Sequence, residues 1–270
     1  MSLKNSIIRA FGYRAALLFG DPLMLDRWHY VCRYLPVTRD GQRLFDVGSG
    51  SGAFTLGAAR RGYDAVGLSW DERDQATATE RARICGQTAR FPIGDARRLE
   101  TYGEHVGAYD YVLNLENIEH IIDDRKLMRD LAACLKPGGW LILTTPNHNY
   151  RPITSADEGP FSKVEDGWHV RRGYTPAMLR ELAADAGLQV EAIEGCSGFL
   201  SQKLTVPFRK IKPAMLGWTA ILPFRVLPLL FDRLIARLTG YPDFSITLVA
   251  YKPRFTPTAN PANGPASGQA

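Results

Sequence analysis

The residues with the clearest chemical potential lie in the stretch Leu44-Phe45-Asp46-Val47-Gly48-Ser49-Gly50-Ser51-Gly52-Ala53-Phe54. Leu44, Phe45 and Val47 read as the apolar end of a short buried strand. Gly48, Gly50 and Gly52 let the backbone turn sharply and let a ligand approach closely. Helical spacing starts at Ala53 and continues through Leu56, Ala58 and Ala59. Backbone N–H groups at such a helix start face whatever binds there. Asp46 precedes the glycines, and a carboxylate at that point suits a ligand with an ammonium group better than a phosphate. Two other readings fit this stretch alone: a dinucleotide-binding turn and a plain strand–helix connection.

More polar residues follow later apolar runs. Ser69 and Trp70 come after Asp64–Leu68, Asp95 and Ala96 after 91–94, and Asn114, Leu115 and Glu116 after 109–113. In an open parallel α/β sheet the ligand binds beyond the strand carboxyl ends, where strand order reverses. Four such sites converge on one crevice. His120, after the fourth strand, and His169, in an irregular segment, are the best-placed proton acceptors, with His148, Glu116 and Glu119 behind them. Each histidine is as readily a structural hydrogen-bonding group.

The elements that must position these residues alternate strand with helix. Residues 1–36 read as leader helices, one through Ile7, Ile8, Phe11, Ala15, Leu18 and Phe19, and a second from Leu23 to Leu35. Strands are expected at 44–47, 64–68, 91–94, 109–113, 140–145, 188–193 and 244–251. Helices are expected from Ala53 to Arg61, from Asp71 to Cys85, around Leu127–Leu135 up to Pro137-Gly138-Gly139, and from Thr175 to Ala186. That alternation predicts βαβ units and a Rossmann-like, doubly wound, mostly parallel seven-stranded sheet with helices on both faces. Residues 146–174 lack periodicity and directly follow a strand, so they read as a substrate segment. The tail from Phe255 is rich in Pro, Ala, Gly and Asn and is expected to be disordered. Residues 1–254 then form one domain, with residues 199–240 set between its last two strands.

Charge is uneven. Of the formal +5 on 270 residues, the window 203–238 supplies about +6, from Lys203, Arg209, Lys210, Lys212, Arg225, Arg233 and Arg237 against Asp232. Such local basicity points to a local partner, not to nucleic acid at large. From Ala214 to Phe231 the only charge is Arg225. A membrane span is rejected, because both flanking strands belong to one sheet and Pro223 and Pro228 interrupt a helix. A buried lid, a dimer surface and a segment lying in the membrane interface all fit, and the basic flank favours the last. Cys32, Cys85, Cys134 and Cys196 form no C-x-x-C pair, which argues against a zinc site and suits a reducing cytosol. The N-terminus shows no secretory pattern. The expected location is therefore cytoplasmic, with contact at a membrane surface as the open addition. No metal constellation is visible.

Asp46 with Gly48, Gly50 and Gly52, then Glu119-His120, Asp123, Leu135-Lys136-Pro137-Gly138-Gly139 and Thr145-Pro146-Asn147, resemble class I S-adenosylmethionine (SAM) methyltransferases of the ubiquinone-biosynthesis O-methyltransferase type and their sugar- and natural-product-modifying relatives. The resemblance covers residues 44–194 and the last strand. It implies SAM as cofactor, with Asp46 and the three glycines at its methionine end and Asn114 beside the methionine chain. Asp95 would accept from the adenine amine, the Ala96 backbone would meet the ring, and Trp70 would lie against its face. The family usually has an acid at the end of strand two for the ribose hydroxyls. Here Ser69 stands there, with Asp71, Glu72 or Gln75 as possible substitutes.

Leader helices in this family often cover the cofactor, bringing Arg14, Arg27, Trp28 and Tyr30 within reach, although packing explains each as well. Arg171, Arg172 and Tyr174 resemble a substrate-facing run able to meet a phosphate or acidic sugar, or else form a solvated loop. The expected reaction is methyl transfer to a hydroxyl on a small molecule or a lipid-linked glycan, with His120 or His169 as base. N- or C-methylation, lipid included, and a non-catalytic SAM-fold partner protein are the alternatives. Nucleic-acid methylation is not expected, as no N-P-P-Y-type motif is present.

Overall fold

The computed structural model describes residues 3–18, 22–211 and 214–254. The tail from Phe255, and with it the expectation of disorder there, lies outside the described residues, as do Phe19 and Lys212. Three helices lead: α1 (Leu3–Phe11), α2 (Tyr13–Leu18) and α3 (Pro22–Tyr34). The single first helix expected from its apolar spacing is broken at Gly12, whose φ of 73° no α-helix accommodates.

The sheet strands are β1 (Arg43–Val47), β2 (Asp64–Leu68), β3 (Tyr109–Leu115), β4 (Leu135–Pro146), β5 (Gln189–Cys196) and β6 (Ser245–Tyr251), in the order β2-β1-β3-β4-β6-β5. β1 to β4 run parallel, while β6 pairs antiparallel with both β4 and β5. Among the described residues the sheet thus has six strands, not the seven expected. The expected strand at 91–94 is reduced to isolated bridges, Val66 with Arg90 and Ser69 with Ile93. Pro92 lacks the N–H that a ladder would need there.

Between the strands lie α4 (Ala53–Arg60), α5 (Glu72–Ile84), α6 (Asp124–Cys134) and α7 (Pro176–Asp185). Their starts follow local chemistry. Asp71 caps α5 by accepting from the Arg73 and Asp74 N–H groups, and the Thr175 hydroxyl caps α7 by accepting from the Met178 N–H. The Pro-Gly-Gly turn expected between α6 and the next strand is absorbed into β4, where the Gly138 N–H donates to the Lys252 carbonyl at 2.7 Å.

Side chains alternate across the sheet, so adjacent residues serve opposite layers. Phe45, Val112, Leu141 and Leu248 pack with α6 and α7 on one face. Leu44, Leu113, Ile142 and Val249 pack with α3 and α4 on the other. Full burial of each such side chain contributes about 2 kcal/mol. After β5 come α8 (Phe199–Lys210), α9 (Ala214–Ile221), a 3₁₀ turn at Leu222–Phe224 and α10 (Leu227–Thr239). Pro223 and Pro228 lie in that turn and in the first turn of α10, as a helix interruption requires. Strand order reverses between β1 and β3, and this switch point fixes where a ligand crevice opens.

Candidate active site

The turn after β1 sits at the switch point. Asp46 is fully buried, and its carboxylate accepts from the Thr55 hydroxyl of α4 at 2.6 Å. Burial lifts its pKa to about 6 against the pull of the Thr55 hydrogen bonds. Asp46 therefore ties the strand end to the helix that carries the glycine turn. Gly48 has φ 82°, and a side-chain carbon there would meet the Asn117 carboxamide at 2.5 Å. Gly50 and Gly52 are also in the left-handed region. Asn114 is buried, its amide donating to the Val47 carbonyl at 3.0 Å while its Oδ1 has no hydrogen-bond partner. It braces the end of β1.

At the end of β2, Ser69 is buried and its hydroxyl accepts from the Asp71 N–H at 3.3 Å. The residues that might replace a ribose-binding acid are largely occupied. Asp71 caps α5, and the Gln75 amide bridges the Gly67 and Pro92 carbonyls. Trp70 is 69% exposed and lines a cleft of about 110 Å³ with Asp95, Ala96, Arg97, Asn117, His120 and Glu165. The Arg97 guanidinium contacts Asp95 at 2.6 Å and Glu165 at 2.9 Å, linking the end of the 91–94 segment to the irregular segment across this cleft. The hydrogen bonds from Arg97 hold Asp95 below its usual pKa. Glu165 also accepts from the Ile122 N–H.

A larger cavity of about 640 Å³ adjoins this cleft. Its polar floor holds Arg27, Glu116, Glu119, His120 and His169, and apolar walls come from Leu23, Phe161, Trp168 and Phe244. His120 lines both spaces. Its ring meets His169 edge to face at 4.7 Å, and its Nε2 lies 3.9 Å from Glu119 Oε1. The irregular segment is stitched to this floor, because the Val170 N–H donates to the Glu119 carbonyl and the Ser162 N–H to the His169 carbonyl, each at 2.9 Å. Burial, and then His120, lower the His169 pKa to about 4, so it is neutral at physiological pH. Glu119 is wholly buried. Desolvation, and then the Glu116 charge, push its pKa well above the carboxylate range, while the Thr145 hydroxyl donates to its Oε2.

Two residues in this floor carry weight that local sequence does not show. Glu116 adopts φ 52°, a strained conformation for a non-glycine residue. Arg27 of α3 pairs with it at 2.9 Å and also donates to Ser245 Oγ. Of the leader residues expected to reach the pocket, Arg27 does. Trp28 stacks on Phe54, Tyr30 is buried against Tyr34, and Arg14 is exposed. Arg171 is held by Asp124, Tyr174 and the Ile121 and Ile122 carbonyls, and Arg172 by the His148 and Tyr150 carbonyls. These two arginines brace the segment instead of offering an anion site. The fold also brings Glu119, His120 and His169 within 4.8 Å of one another, a potential metal-ligand set that the sequence does not reveal.

The surroundings suit SAM at both ends. Beside the glycine turn, Asn114 Oδ1 and Ser49 Oγ are buried acceptors without partners. The indole of Trp70 and the Asp95–Ala96 pair flank the far cleft.

A methyltransferase-domain family model matches residues 24–193. The chain is 29% identical to the ubiquinone biosynthesis O-methyltransferase of Marinobacter nauticus over 163 residues, 59% of this chain and 68% of that one. It is 30% identical to the enzyme of the same name from Bordetella avium over 159 residues, 57% and 65% of the two chains. Among solved structures it resembles Haemonchus contortus phosphoethanolamine N-methyltransferase 2 in complex with SAM, with a TM-score of 0.61 and 18% identity over 94% of this chain and 60% of that one. It also resembles the [4+2]-cyclase SpnF, with a TM-score of 0.57 and 22% identity over 84% and 80%. These two structural likenesses establish the fold, which is shared by proteins named for different reactions. The chain belongs to the methyltransferase-domain family and is a SAM-dependent methyltransferase.

Proposed function

We propose that the protein transfers a methyl group to a hydroxyl on a small, largely apolar acceptor bound in the 640 Å³ cavity. The observation that carries this reading is His120, which lines both the cavity and the adjoining cleft and so stands where acceptor and donor spaces meet. When bound, the cofactor supplies an electrophilic methyl on sulfonium. The chain's own task is alignment and removal of the hydroxyl proton. His120 takes that proton. His169, neutral and edge-on to it, fixes the ring orientation, and Glu119 closes the rear of the site. Leu23, Phe161, Trp168 and Phe244 receive the apolar body of the acceptor.

A cationic amine acceptor is the second reading, favoured by four acids in the cavity lining: Glu116, Glu119, Asp157 and Asp166. Three of the four are held in part, with Glu116 Oε1 and Glu119 Oε1 left without a hydrogen-bond partner. Glu116 pairs with Arg27, Asp157 accepts from the Ile153 and Thr154 N–H groups, Asp166 accepts from the Trp168 N–H, and burial favours the protonated form of Glu119. The relatives' name, O-methyltransferase, favours the hydroxyl over the ammonium. The test is turnover of labelled SAM against matched phenols and amines carrying apolar substituents. His120→Ala is expected to lower kcat on the phenol by about a hundredfold, with SAM affinity by calorimetry changed only severalfold. An unchanged rate on the phenol, or turnover of the amine alone, overturns the reading.

A further inference from the structure

The helices between β5 and β6 carry an apolar stripe on the outside of the molecule. On α10, Leu227, Leu230, Phe231, Leu234 and Leu238 follow i, i+3, i+4, i+7, i+11 spacing, one face of a helix. Their exposures are 38%, 64%, 45%, 53% and 76%. A stripe of this kind normally faces a core. Here the opposite face does so, and the reason is polar. Asp232 is buried and its carboxylate caps α8, accepting from the Leu200 N–H at 2.6 Å, the Ser201 N–H at 3.1 Å and the Ser201 hydroxyl at 2.7 Å. Pro228, one turn earlier, is buried with it. These contacts fix the rotation of α10 and turn its leucines outward. The preceding turn adds Leu222, Phe224 and Val226, at 38%, 50% and 56% exposure.

Charge selects the occupant. Between Phe199 and Pro242 the sequence has one acid, the buried Asp232. Arg237, and Arg233, whose guanidinium lies 3.5 Å from Glu194, are exposed on the edge of the stripe next to Leu230 and Leu234, and Lys203 and Lys210 of α8 are exposed as well. A basic edge beside an apolar face matches an anionic lipid surface, where the leucines enter the acyl boundary and the cations meet headgroup phosphates. Among the described residues no helix is long and apolar enough to cross a membrane. We propose that α10 and the turn before it dock the protein flat on an anionic bilayer. The surface lies outside the reaction cavity, so the proposal stands independently of which acceptor is methylated.

The experiment is flotation of the full chain with vesicles of phosphatidylcholine alone or with one-third phosphatidylglycerol. Binding is expected on the anionic vesicles and is expected to weaken with salt. Arg233→Glu with Arg237→Glu should lower partitioning by roughly fivefold or more per residue. Leu230→Ser, Phe231→Ser and Leu234→Ser together should lower it roughly a hundredfold. All these side chains are exposed, and SAM binding by calorimetry checks that the variants remain folded. Equal partitioning of wild type and variants overturns the proposal. So does a wild-type dimer, seen by light scattering, that the serine variant converts to monomer while neither floats, because a second copy then covers the face.

Discussion

Asp46 puts a carboxylate where the fold makes ionisation costly. Its ordinary pKa of 3.8 rises to about 6 on burial. Between these values the folded chain keeps a proton that the unfolded chain has lost. Folding is therefore favoured at the acid end of the window, and stability falls as pH rises through it. At neutral pH the wild type carries the full penalty. Asp46→Asn removes it, and the Thr55 hydroxyl can still donate to the amide oxygen. The variant is expected to melt roughly 5 °C above wild type at pH 7.5, with the difference vanishing below about pH 4. A melting-temperature difference that does not change with pH would refute the buried-charge account. His169, lowered to about 4, drives stability the opposite way over an overlapping range, but it is common to both proteins and cancels in the difference.

Among the elements, the β1 turn depends most on close approach. Gly48→Ala must accept φ 82° and displace the Asn117 carboxamide, which a methyl would meet at 2.5 Å. A loss of about 2–4 kcal/mol is expected from strain and overpacking together. Urea unfolding measures it, and a loss below 1 kcal/mol would mean that Asn117 simply moves aside. This turn was legible in the sequence because glycine spacing, a strand end and a helix start fall within eleven residues. Other elements were less legible for identifiable reasons. Residues 91–94 have strand-like neighbours, but Pro92 prevents a continuous ladder. Gly12 breaks an apolar pattern that otherwise reads as one helix. The spacing of α10 shows a stripe, yet periodicity cannot say which side faces inward. That is decided by Asp232, through partners some thirty residues away.

Across the whole molecule, the alternation of strand and helix was enough to place a crevice at strand carboxyl ends, and Trp70, Asp95, Ala96, His120 and His169 line the two spaces there. What pattern could not supply were the long-range pairings. Arg27 reaches Glu116 across 89 positions, and His169 is brought to His120 by a segment with no period at all. Roles also shifted. Asn114 and Ser69 sit at the right strand ends but spend hydrogen bonds on the backbone, and Arg171 and Arg172 fasten a loop expected to meet substrate.

Arg97 holds Asp95 from one side of the cleft beside Trp70 and Glu165 from the other. We propose that the nucleoside end of the cofactor enters and leaves between these walls and waits for that bridge to part. The bridge therefore acts on residence time. Glu165→Ala is expected to quicken both association and release of S-adenosylhomocysteine by roughly the same factor, leaving its dissociation constant within about twofold. An exposed ion pair is worth only about 1 kcal/mol, which limits the acceleration to about fivefold. Stopped-flow tryptophan fluorescence, with Trp70 in the cleft wall as reporter, separates the two rates. If release limits turnover, the same substitution makes the enzyme faster at saturation, so a contact that orders the site also sets how slowly it resets.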